Sequence, residues 1–172
     1  MGILRSLYLK ICSSESRIRY YRKQGVKIGN GCFIANDVNF GSEPYLVTIG
    51  DNVRLTENVS FSNHDGGLWV VRRLYKEYEN VDIIKPIVVG NNVHIGVDAV
   101  ILPGVKIGNN CIIGYGAIVT KDIPDNCIAV GVPARVIETI DEYIGKNKDL
   151  FISTKRMNAT EKKQYLMERG II

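Results

Sequence analysis

From Val89 to Val119 one aliphatic residue returns every six positions: Val89, Ile95, Ile101, Ile107, Ile113 and Val119. Four residues after each stands a second small or branched apolar residue: Val93, Ala99, Val105, Cys111, Ala117 and Ile123. An earlier stretch repeats the theme with Ile28, Ile34 and Phe40, then Ile49, Leu55 and Phe61. A helix repeats its faces at 3.6 residues, and interspersed glycine weakens it. A period of six suits a short strand followed by a turn, with one large aliphatic pointing inward each time. The "GNN", "GDN" and "GNG" tripeptides supply turn residues for the corners. Three such units close a triangular coil, and stacked coils make an all-β parallel solenoid with a continuous core. A β-sandwich is the alternative, and six consecutive matches at two linked positions argue against it.

The 172 residues suffice for one domain with a real core. Hydrophobic content of 45% with 23% charged residues is that of a globular chain. No apolar run reaches the roughly 18–20 residues of a membrane span. The net charge of +4 welcomes an anionic ligand but does not argue for nucleic acid. Cys12, Cys32, Cys111 and Cys127 form no C-x-x-C pair, and we read them as small buried hydrophobes in a reducing cytoplasm. The opening "MGILRSLYLKI" lacks the features of a secretory signal, although M-G-x-x-x-S loosely matches a myristoylation pattern. Residues 1–24 are expected to form a helical cap, with Ile3, Leu4, Leu7 and Ile11 on one face. A membrane-surface role for this basic amphipathic piece is the alternative. Residues 138–172 read as two helices, the second capped by Asn158 or Thr160 and stopped at Gly170.

The stretch "VVGNNVHIGVDAVILPGVKIGNNCIIGYGAIVTKDIPDNCIAVGVPARVI" resembles the closing coils of the hexapeptide-repeat acyltransferases. It is similar in particular to galactoside, maltose and capsule or exopolysaccharide acetyltransferases. The resemblance covers roughly residues 25–137. It implies a left-handed parallel β-helix, a homotrimer with active sites in the clefts between solenoids, and acetyl-CoA as acyl donor.

After Phe61 the period fails, and it resumes near Ile87–Val89. Insertions in solenoids leave at corners and often build the binding face. The segment 65–86 is therefore read as a loop over a cleft, with Trp69, Arg72, Arg73 and Tyr75 as candidate acceptor contacts. His64, one of only two histidines, stands at its mouth. Acyl transfer to an alcohol needs a base for the hydroxyl proton, and imidazole titrates nearest neutrality. The resemblance assigns that role to His64, in "TIGDNVRLTENVSFSNH". It also implies a backbone N–H near Val97 as oxyanion donor, where relatives often carry serine. By the same resemblance Glu43 is the candidate to orient His64 and Asn36 to bind the acceptor; Asp65, a strand neighbour that points away from the imidazole, is a candidate for support or acceptor binding. His94 takes a place where relatives carry tryptophan beside the pantetheine arm. "GYGAIVTK" and "GVPARV" point to Tyr115, Thr120, Lys121 and Arg135 for CoA. Glu138 stands where relatives often have a second basic residue.

Direct attack needs no acyl-enzyme and no metal. The γ-class carbonic anhydrases share the solenoid but need three histidines for zinc, and this chain has two. The acceptor is expected to be a hydroxyl of a sugar or polysaccharide precursor. N-acetylation of an amino sugar and a non-catalytic binding solenoid are the alternatives.

Overall fold

The computed structural model describes Leu9 and residues 11–172, which divide between two compact units, 1–141 and 142–172. In the first unit the chain visits three faces in rotation. Lys27–Ile28 lies on the first face, Phe33–Ile34 on the second, and Asn39 bridges to Ser60 on the third. The order repeats with Val47–Ile49, Arg54–Leu55 and Ser60–Phe61, then with Ile87–Val89, His94–Ile95 and Val100–Ile101. It repeats again with Lys106–Ile107, Ile112–Ile113 and Ile118–Val119. Within each face, successive strands pair in parallel. Ile112 sits beside His94 and Ile118 beside Val100, eighteen residues on, which is three six-residue units. This is the topology of a three-sided parallel β-solenoid.

The periodic aliphatics fill its interior. Ile34, Leu55, Ile95, Ile101, Ile113 and Val119 are fully buried, and so are the interleaved Ala99 and Ala117. Each large one contributes about 1.5–3 kcal/mol by leaving water. Phe61 stacks on Phe40 with ring centroids 5.1 Å apart, and Phe40 meets Tyr21 of the N-terminal helix at 4.6 Å.

The corners separate two roles that the tripeptides had joined. Positive φ belongs to the last residue of the turn, at Asn52, Asn92, Asn110 and Asn126. Their amides form a ladder: Asn92 Nδ2 donates to Asn110 Oδ1 at 2.9 Å, and Asn110 Nδ2 to Asn126 Oδ1 at 2.8 Å. The leading glycine is needed for close approach instead. A Cβ on Gly90 would lie 2.7 Å from the carbonyl oxygen of Gly108 in the next coil. Gly90→Ala is therefore expected to lower stability by about 1–3 kcal/mol, read as a lower urea midpoint at unchanged slope.

The first coil leaves backbone groups with no coil beneath them, and the helix Ser14–Lys23 covers them. Ser14 Oγ accepts from Ile34 N, and Arg17 Nε donates to Ile34 O at 2.8 Å. Tyr21 Oη donates to Val38 O at 2.8 Å, and Arg22 to Ile28 O. A row of orphaned groups is thereby satisfied by side chains of one helix. This helix differs from the continuous one expected over residues 3–24. Ser13 caps it, with its side chain accepting from Ser16 N, and its buried residues are Arg17, Ile18 and Tyr21. Ile11 is 76% exposed, and Ile3, Leu4 and Leu7 lie outside the described residues.

The last coil ends differently from the expectation as well. Arg135–Thr139 is a strand, antiparallel to Cys127–Val130, so helix begins only at Ile140. Branched Val136, Ile137 and Thr139 suit that strand. Of the cysteines, Cys111 and Cys127 are buried and Cys12 and Cys32 half-buried, all of them free. In the second unit, Asn158 and Glu161 form a reciprocal capping box at the head of the helix Ala159–Glu168. Among the described residues no helix is long and apolar enough to cross a membrane.

Candidate active site

Because each corner recurs in every coil, a residue's phase decides where it stands. Segments that follow the third face turn the corner toward the first. Gly41–Glu43, Ser62–Asp65, Leu102–Pro103 and Thr120 all belong to this corner. The long excursion leaves and returns there. Lys85 N donates to Asn63 O at 2.9 Å and Asp65 N to Ile83 O at 3.0 Å, with His64 and Ile84 bridged between them. These antiparallel bonds clamp the neck of the loop. Beyond it, Leu68–Leu74 is helical, and Arg72 is paired with Asp82 and donates to Val81 O.

His64 occupies the neck. Its neighbour Asn63 is fully buried, whereas the His64 side chain is 47% exposed, as alternation along an extended segment requires. The imidazole meets the preceding coil. Ser42 Oγ lies 3.2 Å from His64 Nδ1, and Glu43 Oε2 lies 3.4 Å from it. Ser42 Oγ donates to Glu43 Oε2 at 2.7 Å. Gly41 makes this approach sterically feasible. Its φ is +73°, and a Cβ there would lie 2.5 Å from Asn63 Oδ1 and 2.9 Å from Phe61 O. His64 also lines a cavity of about 380 Å³, together with Asp65, Ile83, Lys85, Pro103 and Thr120 among others. His64 Nε2 makes no hydrogen bond among the described residues.

The sequence-predicted residues divide between corners and faces. His64, Glu43, Asp65 and Thr120 come together, and Lys121 follows Thr120 on the exposed surface. Asp65 Oδ1 accepts from Gly67 N at 2.8 Å. Val97 and Tyr115 stack at the corner between the second and third faces, where Gly116 N donates to Val97 O. Asn36 turns the same corner and lines a separate cavity of about 350 Å³ with Tyr21, Asn39 and Phe40. His94 lies on the outer second face between Arg54 and Ile112, in a third cavity of about 290 Å³. Burial, and then the Arg54 charge, hold its pKa below the ordinary imidazole value. Trp69 is 63% exposed under the Arg73 guanidinium and lines none of these cavities. Tyr75 meets Tyr78 edge to face within the loop. The Arg135 guanidinium donates to the Ala134 carbonyl. Among the described residues no group of three or more His, Cys, Asp or Glu is placed to hold a metal.

Two residues of this corner were not anticipated. Lys85 lies against Gly104, where a Cβ would come 2.9 Å from Lys85 Cδ, and lines the cavity. A loop that leaves a corner must rejoin it, so Lys85, just before the period resumes, was placed by that constraint. Ser42 carried a subtler signal. Phe40 and Ile49 are nine residues apart instead of six, an insertion at the very corner that bears His64 one coil later.

The family described as bacterial transferase hexapeptide (six repeats) matches residues 86–121. Protein CapG of Staphylococcus aureus is 45% identical over 168 residues, covering 96% of each chain. The galactoside O-acetyltransferase of Escherichia coli (strain K12) is 51% identical over 100 residues, 58% of this chain and 47% of that one. A hexapeptide-repeat acetyltransferase of Vibrio cholerae O1 biovar eltor, solved in complex with acetyl coenzyme A, superposes with a TM-score of 0.65. It is 25% identical, with 78% of this chain and 82% of that one covered. The chain belongs to the hexapeptide-repeat acyltransferase family.

Proposed function

We propose that this protein moves an acetyl group from acetyl-CoA to a hydroxyl of a sugar or polysaccharide precursor, as a homotrimer of left-handed solenoids. The observation that carries the reading is the state of His64: Nδ1 is engaged by Ser42 and Glu43, Nε2 has no hydrogen-bond partner among the described residues, and the residue lines the cavity. A general base needs that arrangement, since one nitrogen must be held while the other accepts. The acetyl-CoA complex of the Vibrio cholerae relative supports the donor, and the galactoside O-acetyltransferase of Escherichia coli supports a sugar hydroxyl as acceptor.

In the reaction, His64 Nε2 takes the acceptor's hydroxyl proton as the oxygen attacks the thioester carbonyl. The tetrahedral oxyanion is held by a backbone N–H. Val97 N suits this, because it has no hydrogen-bond partner among the described residues while its own carbonyl accepts from Gly116. Collapse expels the CoA thiolate, which takes the proton from His64, so the base is regenerated and no covalent intermediate forms on the protein. Val97 and His64 stand at different corners of one chain, which is the argument for a second protomer in each site. Thr120 and Lys121 on the His64 corner, and Tyr115 and His94 elsewhere, are assigned to CoA, with Lys121 and Arg135 as phosphate contacts. Asn36 is assigned to the acceptor, and Trp69 to its approach over the loop.

The test is thiol release from acetyl-CoA against a panel of sugars, amino sugars, nucleotide sugars and oligosaccharides. Release that depends on a hydroxyl acceptor is the expected result. Release only with amino sugars would replace O- by N-acetylation. No release, and no rise in melting temperature with CoA, would leave a non-catalytic solenoid.

A further inference from the structure

We propose that Ser42 is a positioning residue which, with Glu43, holds His64 in its Nδ1–H tautomer; the proposal rests on the reading of His64 as the base. The argument is an account of protons. Three polar atoms meet in a triangle: Ser42 Oγ, Glu43 Oε2 and His64 Nδ1, separated by 2.7, 3.2 and 3.4 Å. An ionised carboxylate accepts and cannot donate, and a serine hydroxyl owns one proton. Ser42 gives that proton to Glu43 in the shortest of the three contacts. Its oxygen then faces Nδ1 with lone pairs only. Two lone pairs meeting would repel, so Nδ1 must carry the hydrogen and donate it to Ser42 Oγ. In a neutral imidazole the other nitrogen is then bare. Nε2 is therefore the acceptor that a general base requires.

Glu43 alone does this less well. Its oxygen is 3.4 Å from Nδ1, longer than an ordinary N–H···O bond, whereas Ser42 Oγ stands nearer. Ser42 thus relays the carboxylate's polarity to the ring. When His64 is protonated during turnover, both nitrogens donate and the same triangle stabilises the imidazolium, the carboxylate through Coulomb attraction and the serine through its lone pair. The segment is held to this task by its neighbours. Gly41 packs on the buried Asn63 amide, and Pro44 begins the short 3-10 turn Pro44–Leu46 directly after Glu43.

The experiment compares wild type, Ser42→Ala and Ser42→Thr by imidazole ¹⁵N NMR and by kcat and KM. Wild type should show His64 with Nδ1 protonated and Nε2 bare. Ser42→Ala should lose that preference and lower kcat on the order of 10- to 100-fold at little-changed KM for acetyl-CoA, as expected when a base is misoriented or wrongly protonated. Ser42→Thr, which keeps the hydroxyl, should restore both. A wild-type spectrum with Nε2 protonated, or a Ser42→Ala spectrum unchanged from wild type, overturns the proposal. A tautomer that shifts while kcat stays overturns the positioning role, provided His64→Ala is inactive. If His64→Ala is itself fully active, the base reading fails, and the spectra still decide the tautomer on their own.

Discussion

His64→Ala is expected to lower kcat by roughly 10² to 10⁴-fold, the span over which removal of a positioned general base is felt. The loss should fall on kcat more than on the KM for acetyl-CoA, because in the proposed mechanism Nε2 acts on the acceptor's proton and not on the pantetheine. Stability should hardly move. The side chain is nearly half exposed, and what ties the neck of the loop together is main chain, in the bonds Lys85 N to Asn63 O and Asp65 N to Ile83 O. Substitutions at such exposed sites usually stay within about ±0.5 kcal/mol. The melting temperature with and without CoA therefore serves as the internal control, and thiol release per protomer as the readout. A variant that binds CoA, melts like wild type and turns over normally would remove His64 from the mechanism. The corner would then be an acceptor pocket without a base.

How much of this was legible beforehand follows from what each signal depends on. The six-residue register depends on local turns and inward aliphatics, and Ile95, Ile101, Ile113 and Val119 are buried where the count puts them. The break after Phe61 was equally local, since a lost period needs no partner to be seen. What escaped were pairings between segments distant in the chain. Ser42 meets His64 only because two insertions share a corner, at Phe40–Ile49 and again after Phe61. The strand Arg135–Thr139 is a different case: it pairs with the nearby Cys127–Val130, and its branched Val136, Ile137 and Thr139 suit a strand better than the helix expected there. The N-terminal helix was expected to carry Ile3, Leu4, Leu7 and Ile11 on one face and to cap the solenoid's open end. Its described part turns Arg17 and Tyr21 inward to satisfy the carbonyls of the first coil. That is a demand of the solenoid's open end and not of helical periodicity.

Val97→Pro should fold and fail to catalyse. Ala99 N donates to Gly96 O across a four-residue turn whose third residue, Asp98, has φ of +61°. That is a type II turn, and its second position, Val97, is where proline is favoured. The substitution removes one N–H that bonds nothing among the described residues and keeps the carbonyl that Gly116 uses. If this N–H is the oxyanion donor, kcat should fall about 10² to 10³-fold, as when one such donor is deleted. The variant also asks where each half of the site comes from. Val97 turns the corner between the second and third faces, and His64 the corner between the third and first, so one chain holds them a face apart. If the protein assembles as the proposed trimer, mixed rings of His64→Ala and Val97→Pro chains should therefore regain activity. In any mixed ring one junction pairs an intact His64 with an intact Val97 from its neighbour. Random equal mixing makes about three-quarters of trimers mixed, each with one productive site in three, so roughly a quarter of wild-type activity should return. The measurement is thiol release after the two inactive variants are unfolded and refolded together. Recovery near that fraction requires a site shared between protomers. A mixture that stays as inactive as its parts, although mixed trimers are present by mass, requires that His64 and the oxyanion donor act within one chain, and Val97 could not then be that donor.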